Sequence, residues 1–308
     1  DIAELLLQHG ADVDAAREDD GRTALHLSVC GGHTRVVALL IKSGADVFAQ
    51  SYQGTPLHAA ALFGRQRIDS ERAEIAKMLI ERGGYSLANS RRESDQNTPL
   101  HVASRYGRKL ICAYLLNSGA LVDSCDESQL TPLHEAADNG DDAVAELLLQ
   151  HGADVNATSD KQLMPLHLAA RSEGNRVGVV KLLLMHGAQL DCRDEDGWTP
   201  LHWASASGLT DVVVVLLAHG ATIAPSCIDV RDQVQWRTPL HLAVADGHMG
   251  IVRFLRAHGA EVNTRNHYRC AHVRNHRSVT TPLTCASSIG SEGMVELLLA
   301  VSENCFLL

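Results

Sequence analysis

The stretch TPLHEAADNGDD, Thr131 to Asp142, sets His134 beside Glu135, with Asp138, Asp141 and Asp142 close behind. An imidazole crowded by carboxylates is what general acid–base catalysis or divalent-metal ligation asks for. Two other groups invite a chemical reading. CGGH, Cys30 to His33, brings a thiol near an imidazole, as nucleophilic catalysis requires. NHYRCAHVRNHRS, Asn266 to Ser278, spaces His267, Cys270, His272 and His276 as H-x2-C-x-H-x3-H, a mixed nitrogen and sulfur donor set of the kind zinc takes. Arg265, Arg269, Arg274 and Arg277 interleave with those four and would oppose a cation, so the same segment also reads as an anion-binding loop.

A catalytic constellation is made once, and this chain makes its first one repeatedly. TALH begins at Thr23, TPLH at Thr55, Thr98, Thr131, Thr199 and Thr238, MPLH at Met164 and TPLT at Thr281, at successive separations of 32, 43, 33, 33, 35, 39 and 43 residues. The underlying period is 33, with insertions in four intervals. Fourteen of the seventeen histidines fall on fixed positions of that unit: seven in T-P-L-H (His134 among them), five before the glycine after a second helix, and His33 and His248 after the glycine that ends a first helix. His134 therefore reads as a structural side chain bonding backbone between loops and helices, and Asp138 and Asp142 as a solvated face. CGGH becomes the end of a first helix. His267, His272 and His276 are the histidines the repeat leaves unexplained.

Within a unit, Thr131 is placed to cap the first helix and Pro132 to occupy its first turn, where a missing N–H costs nothing. Leu133, Ala136 and Ala137 supply close helix contacts, Val144, Leu147 and Leu148 the apolar stripe of the second helix, and Gly140 and Gly152 the helix ends. Insertions such as RQRIDSE (Arg65 to Glu71) and NHYRCAHVRNHRSV are expected to be loops outside the packed core.

Self-similarity at 33 residues with the pattern T-P-L-H-x-A resembles the ankyrin-repeat family over nearly the whole length. The resemblance implies an all-α solenoid of stacked helix–turn–helix units with β-hairpin fingers. The expected organisation is a single array over 1–308, with units at about 1–18 (a half repeat), 19–50, 51–93, 94–126, 127–159, 160–194, 195–233, 234–276 and 277–308. Because the chain opens on a second helix, a segment of a longer protein is expected.

A net charge of −10 and a pI of about 5.9 argue against a broad grip on nucleic acid or anionic membrane. The longest apolar run, VVVVLLA at 212–218, is far short of the roughly 20 residues of a membrane span. The eight cysteines show no C-x-x-C pairing, which fits thiols in a reducing intracellular compartment, the cytoplasm first and the nucleus as the alternative. With no phosphate loop, nucleophile elbow or metalloprotease helix in the sequence, no enzyme activity, cofactor or metal is expected.

What the resemblance implies for function is a monomeric scaffold that binds a protein or peptide on the concave surface of fingertips and first helices. The positions varying there from repeat to repeat include Phe63, Arg105, Tyr106, Asp138, Asn139, Arg171 and Asp246. All three tryptophans, Trp198, Trp203 and Trp236, fall in repeats seven and eight and form the expected aromatic anchor. Asn156 and Asn263 sit in segments similar to L-x5-[D/E]-V-N, the pattern of asparaginyl hydroxylation in this family. The alternative reading is the recognition or regulatory region of a larger enzyme, channel or signalling receptor whose activity lies outside these residues.

Overall fold

The computed structural model describes residues 2–62, 69–171, 176–220, 237–269 and 277–300, and the chain divides into two compact units, residues 1–160 and 161–308. In the first unit α1 (Ile2–Gln8) precedes four helix pairs: α2 (Ala24–Cys30) with α3 (Thr34–Lys42), α4 (Pro56–Leu62) with α5 (Asp69–Ala88), α6 (Pro99–Arg105) with α7 (Lys109–Asn117), and α8 (Pro132–Asn139) with α9 (Asp142–Gln150). The second unit holds α10 (Pro165–Arg171) with α11 (Val177–Met185), α12 (Pro200–Ala206) with α13 (Thr210–Gly220), α14 (Pro239–Ala245) with α15 (Met249–Ala257), then strands β1 (Asn266–Arg269) and β2 (Arg277–Thr280), and α16 (Pro282–Ser288) with α17 (Glu292–Leu299). Within each unit first helices pack on first helices, α2 on α4 on α6 on α8 and α10 on α12 on α14 on α16, while second helices form a parallel row. A helix inside a row thus meets its own partner and the adjacent repeats of its unit, the arrangement the 33-residue period requires.

The T-P-L-H segment builds this contact from one histidine. Thr98 is extended, Pro99 opens α6, and His101 turns back toward both polar groups of Thr98. Its Nδ1 accepts from the Thr98 N–H at 3.1 Å and lies 2.8 Å from the Thr98 hydroxyl. Its Nε2 lies 3.0 Å from the Leu130 carbonyl of the next finger. A carbonyl only accepts, so Nε2 carries the proton and Nδ1 is left as the acceptor. His26 reaches the Gly54 carbonyl and His58 that of Asn97 in the same way, and in the second unit His202 reaches that of Arg237. The expected threonine cap takes the form of a reciprocal capping box: the Thr98 side chain faces the His101 backbone N–H while the His101 imidazole takes the Thr98 N–H, and Thr131 with His134 does the same. Where Thr284 replaces the histidine, the Thr281 hydroxyl does accept from the Thr284 N–H, at 3.4 Å.

Leu25, Leu57, Leu100, Leu133 and Leu148 are fully buried, each contributing about 1.5–3 kcal/mol of burial. On the far side of three units, a short polar side chain clamps the next one, Asp14 ending ADVD, Asn89 ending SLAN and Asp123 ending ALVD. Asp14 accepts the Asp46 N–H at 2.9 Å, Asn89 that of Leu121 at 2.8 Å, and Asp123 that of Asp154 at 3.0 Å.

Two insertions differ from the plain loops expected. α5 starts at Asp69, so the end of RQRIDSE extends a second helix, and the insertion after α15 begins and ends as an antiparallel pair, β1 with β2.

Candidate protein-binding surface

The crowded residues of the opening stretch are committed to structure. His134 is buried, with Nδ1 3.0 Å from the Thr131 N–H and 2.9 Å from the Thr131 hydroxyl. Glu135 is also buried and accepts two hydrogen bonds from Arg105, one of them 2.7 Å from Nε to Oε2. Asp141 caps α9 by accepting the Val144 N–H at 2.9 Å, and Asp142 is exposed. The Cys30 thiol donates to Gln53, and burial pushes it up, opposite to what a thiolate nucleophile needs. Cys112 and Cys192 are pushed up to about 12, again by burial. Among the described residues no group of three or more His, Cys, Asp and Glu is placed to hold a metal ion, and no helix is long and apolar enough to cross a membrane.

In the second unit, three of the expected partner-binding residues come together. Trp198, at the end of a finger, and Trp203, on α12, lie with ring centroids 4.9 Å apart and planes tilted by 56°. Both rings are half-buried. The guanidinium of Arg171, last residue of α10, sits 5.9 Å from the Trp203 ring centroid, and that of Arg237 sits 5.2 Å from the Trp198 ring. Both distances fall within cation–π range. Asp194 fixes the pair from below: it accepts the Trp203 indole N–H at 2.9 Å and the Trp198 backbone N–H at 2.8 Å. The result is a row, Arg171, Trp203, Trp198, Arg237, drawn from three successive repeats and preset by one buried carboxylate.

The remaining expected residues are more dispersed. Tyr106 is 44% exposed at the end of α6, Asn139 and Asp246 are exposed, and Asp138 is half-buried. Arg105, expected to face a partner, is engaged with Glu135 in the next repeat, because that carboxylate is buried and needs a cation. Phe63 and Trp236 lie outside the described residues, as do Cys270, His272 and His276; His267 falls on β1. Asn156 is half-buried, its N–H bonded to Asp154 at 2.9 Å, and Asn263 is exposed.

Sequence reasoning missed Tyr52, a fingertip residue 59% exposed, with the Arg22 guanidinium 5.7 Å from its ring centroid. It overhangs a groove of about 460 Å³ that runs past Asp20, Ser51, Glu93 and Ser94 on three successive fingers. Leu27, 40% exposed, was also missed. It follows His26 as Trp203 follows His202, so comparing that one position between repeats would have found it.

A family model described as "Ankyrin repeats (3 copies)" matches residues 1–87, 68–159, 133–226, 166–266 and 225–306. The chain is similar to protein phosphatase 1 regulatory subunit 12A of Mus musculus, 44% identical over 61 residues, which is 20% of this chain and 6% of that protein. It is 38% identical over 88 residues to Rabankyrin-5 of Homo sapiens, 27% of this chain and 7% of that one. It is 30% identical over 112 residues to the transient receptor potential cation channel subfamily A member 1 homolog of Caenorhabditis elegans, 36% and 8% respectively. The chain spans less than a tenth of the length of these relatives. The overlapping family matches run from residue 1 to residue 306 without a gap, and the chain belongs to the ankyrin-repeat family.

Proposed function

We propose that this chain is a non-catalytic recognition array, intracellular, that holds a segment of a protein partner against its fingers and first helices. The row Arg171, Trp203, Trp198, Arg237 carries this reading. It offers large aromatic area at low entropic cost, held by Asp194, and such anchors dominate interface energies. The partner's chemistry at the row is an apolar side chain flanked by hydrogen-bond acceptors, since the aromatic area ends in a guanidinium on either side. Tyr106, Asn139 and Asp246 would add polar specificity along the same positions of other repeats, and Asn156 and Asn263 stay candidates for hydroxylation.

A second reading is favoured by the short share of its relatives that the chain spans. One relative is named as a regulatory subunit and another as a cation channel. On this reading the array recognises or regulates on behalf of a longer protein, and the surface is the same.

The test is peptide selection from a random displayed library against the whole chain, followed by affinity measurement on variants whose circular dichroism is unchanged. Trp198→Ala with Trp203→Ala should weaken selected peptides at least tenfold, and Tyr114→Ala, on the second-helix row, should leave them unchanged. Loss confined to Tyr114→Ala would overturn the assignment.

A further inference from the structure

The tryptophan row is short, and its neighbours do not extend it. The residue after the repeat's histidine is Leu168 on α10, Trp203 on α12 and Leu242 on α14; both leucines are buried, and of the three only the tryptophan reaches the surface. At this position of the three helices, the large apolar contact is therefore Trp203, joined by the fingertip ring of Trp198 with centroids 4.9 Å apart. Asp194, 3% exposed, takes the Trp203 indole N–H and the Trp198 backbone N–H together. Trp203 thus spends its polar atom inward and presents ring to the surface, in one fixed orientation.

Three backbone forms could lie on such a pair. A helix docks through apolar anchors at i, i+3 or i+4, and i+7, a stripe of about 10 Å, and two rings 4.9 Å apart cannot meet it. An added strand needs an open strand edge to pair with, and the described residues between 161 and 220 contain no strand. A polyproline II segment needs neither, because its backbone makes no internal or ladder hydrogen bonds and it docks by laying proline rings on aromatic faces. It rises about 3.1 Å per residue, so one Xaa–Pro dipeptide, about 6 Å long, covers both indoles. Its conformation is set before binding, which suits a contact area this small. The row ends in a guanidinium on either side, in a chain of net charge −10, so carboxylates before and after the proline complement it.

We infer that the partner segment held by Trp198 and Trp203 is a proline-containing polyproline II stretch flanked by acidic residues. This rests on the row being the recognition surface and names what that surface takes. The two indoles supply the contact with the proline ring, Asp194 is the positioning residue that fixes them, and Arg171 and Arg237 supply the charge at either end.

The experiment uses the whole chain and three fluorescein-labelled peptides of equal length, EEPPLPEE, EEAALAEE and KKPPLPKK. The first should bind, and the second, without proline, and the third, with its charge reversed, should each bind at least tenfold more weakly. Trp198→Ala with Trp203→Ala should weaken the first at least tenfold, and Tyr114→Ala should leave it unchanged. In the unaltered protein, unlabelled EEPPLPEE should move tryptophan emission to shorter wavelength as indole leaves water, a readout that does not depend on any variant folding. No binding of EEPPLPEE, unmoved emission, or equal binding of the alanine or the lysine peptide would each overturn the inference. Library-selected peptides that depend on the two tryptophans but carry no proline would overturn it while leaving the recognition surface standing. Selected peptides indifferent to the tryptophan variant would remove the surface itself, and this inference with it.

Discussion

His101 and Thr98 are joined twice: the Thr98 N–H lies 3.1 Å and its hydroxyl 2.8 Å from a single acceptor, Nδ1 of the imidazole. With Nε2 donating to the Leu130 carbonyl, every polar atom of this buried ring is used, and only the neutral tautomer satisfies all three contacts. A proton added at Nδ1 would face two donors. Burial accordingly lowers His101 to about 4, and His58, in the same arrangement with Thr55, to about 4 as well.

Stability in the first unit should therefore fall in mild acid. The unfolded chain protonates these rings near 6.5 and the folded chain near 4, so between those values the unfolded state holds more protons. Stability is complete above the unfolded value and is lost as pH falls toward 4. Two such rings should remove roughly 2 kcal/mol between pH 6 and pH 5, a window in which surface carboxylates stay charged. Urea unfolding at those two values checks it. A midpoint that does not move would mean the rings are protonated in the folded chain.

The period, the helix pairs and the role of His134 were legible because the repeat writes them many times, each time with local chemistry. What was not legible depends on pairing across repeats. Arg105 and Glu135 lie 30 residues apart, and nothing near Arg105 announces that its partner is buried. The tryptophan row needs Arg171 and Arg237, contributed by a helix end and a finger of different repeats. The pairing of β1 with β2 was hidden because the insertion carries no alternation of apolar and polar residues from which a strand would be read.

The fingertips hold a second feature that composition conceals. Gly21 and Gly197, each two residues before the repeat's threonine, are left-handed at φ 71° and 81°; Gln96, Gln129 and Gln162 hold the corresponding position at 59°, 59° and 56°. An L-residue there costs about 1 kcal/mol or more, while glycine costs about 0.4–1 kcal/mol in unfolded-state entropy. Gln129→Gly should thus change stability by less than about 1 kcal/mol, toward stabilisation, and Gln129→Val should destabilise the array by more than that, since branching at Cβ resists positive φ. Denaturant midpoints decide it, and a valine variant as stable as the parent would refute the assignment of strain.

Leu148 on α9 is fully buried, and its neighbour Leu147 is only partly so. Leu148→Ala should cost about 2–5 kcal/mol, the range for emptying a packed leucine site, and Leu147→Ala clearly less. In an array whose stability is the sum of repeat and neighbour terms, the loss should first appear as faster hydrogen exchange in α7 and α9, which pack together. Equal costs for the two leucines would count against the assigned face of α9.

The pair of Arg105 and Glu135 separates a partner-binding role from a structural one. Glu135 is 7% exposed at its side chain and Arg105 37%, so the carboxylate depends on the arginine more than the arginine depends on it. The hydrogen bond to Glu135 raises Arg105, consistent with a cation held by its partner. Arg105→Ala strands a buried carboxylate, an event that costs about 3–5 kcal/mol in a closed site and sits at the low end here because the arginine is partly solvated. Replacing both, Arg105→Leu with Glu135→Met, removes the charge and its counter-charge together and should return stability to within about 1 kcal/mol of the parent. Thermal unfolding of the two single variants and the double variant closes the cycle, and the coupling is the quantity to read. If Arg105→Ala melts with the parent while peptide binding drops, Arg105 belongs to the recognition surface after all, and the ion pair contributes nothing to the contact between α6 and α8.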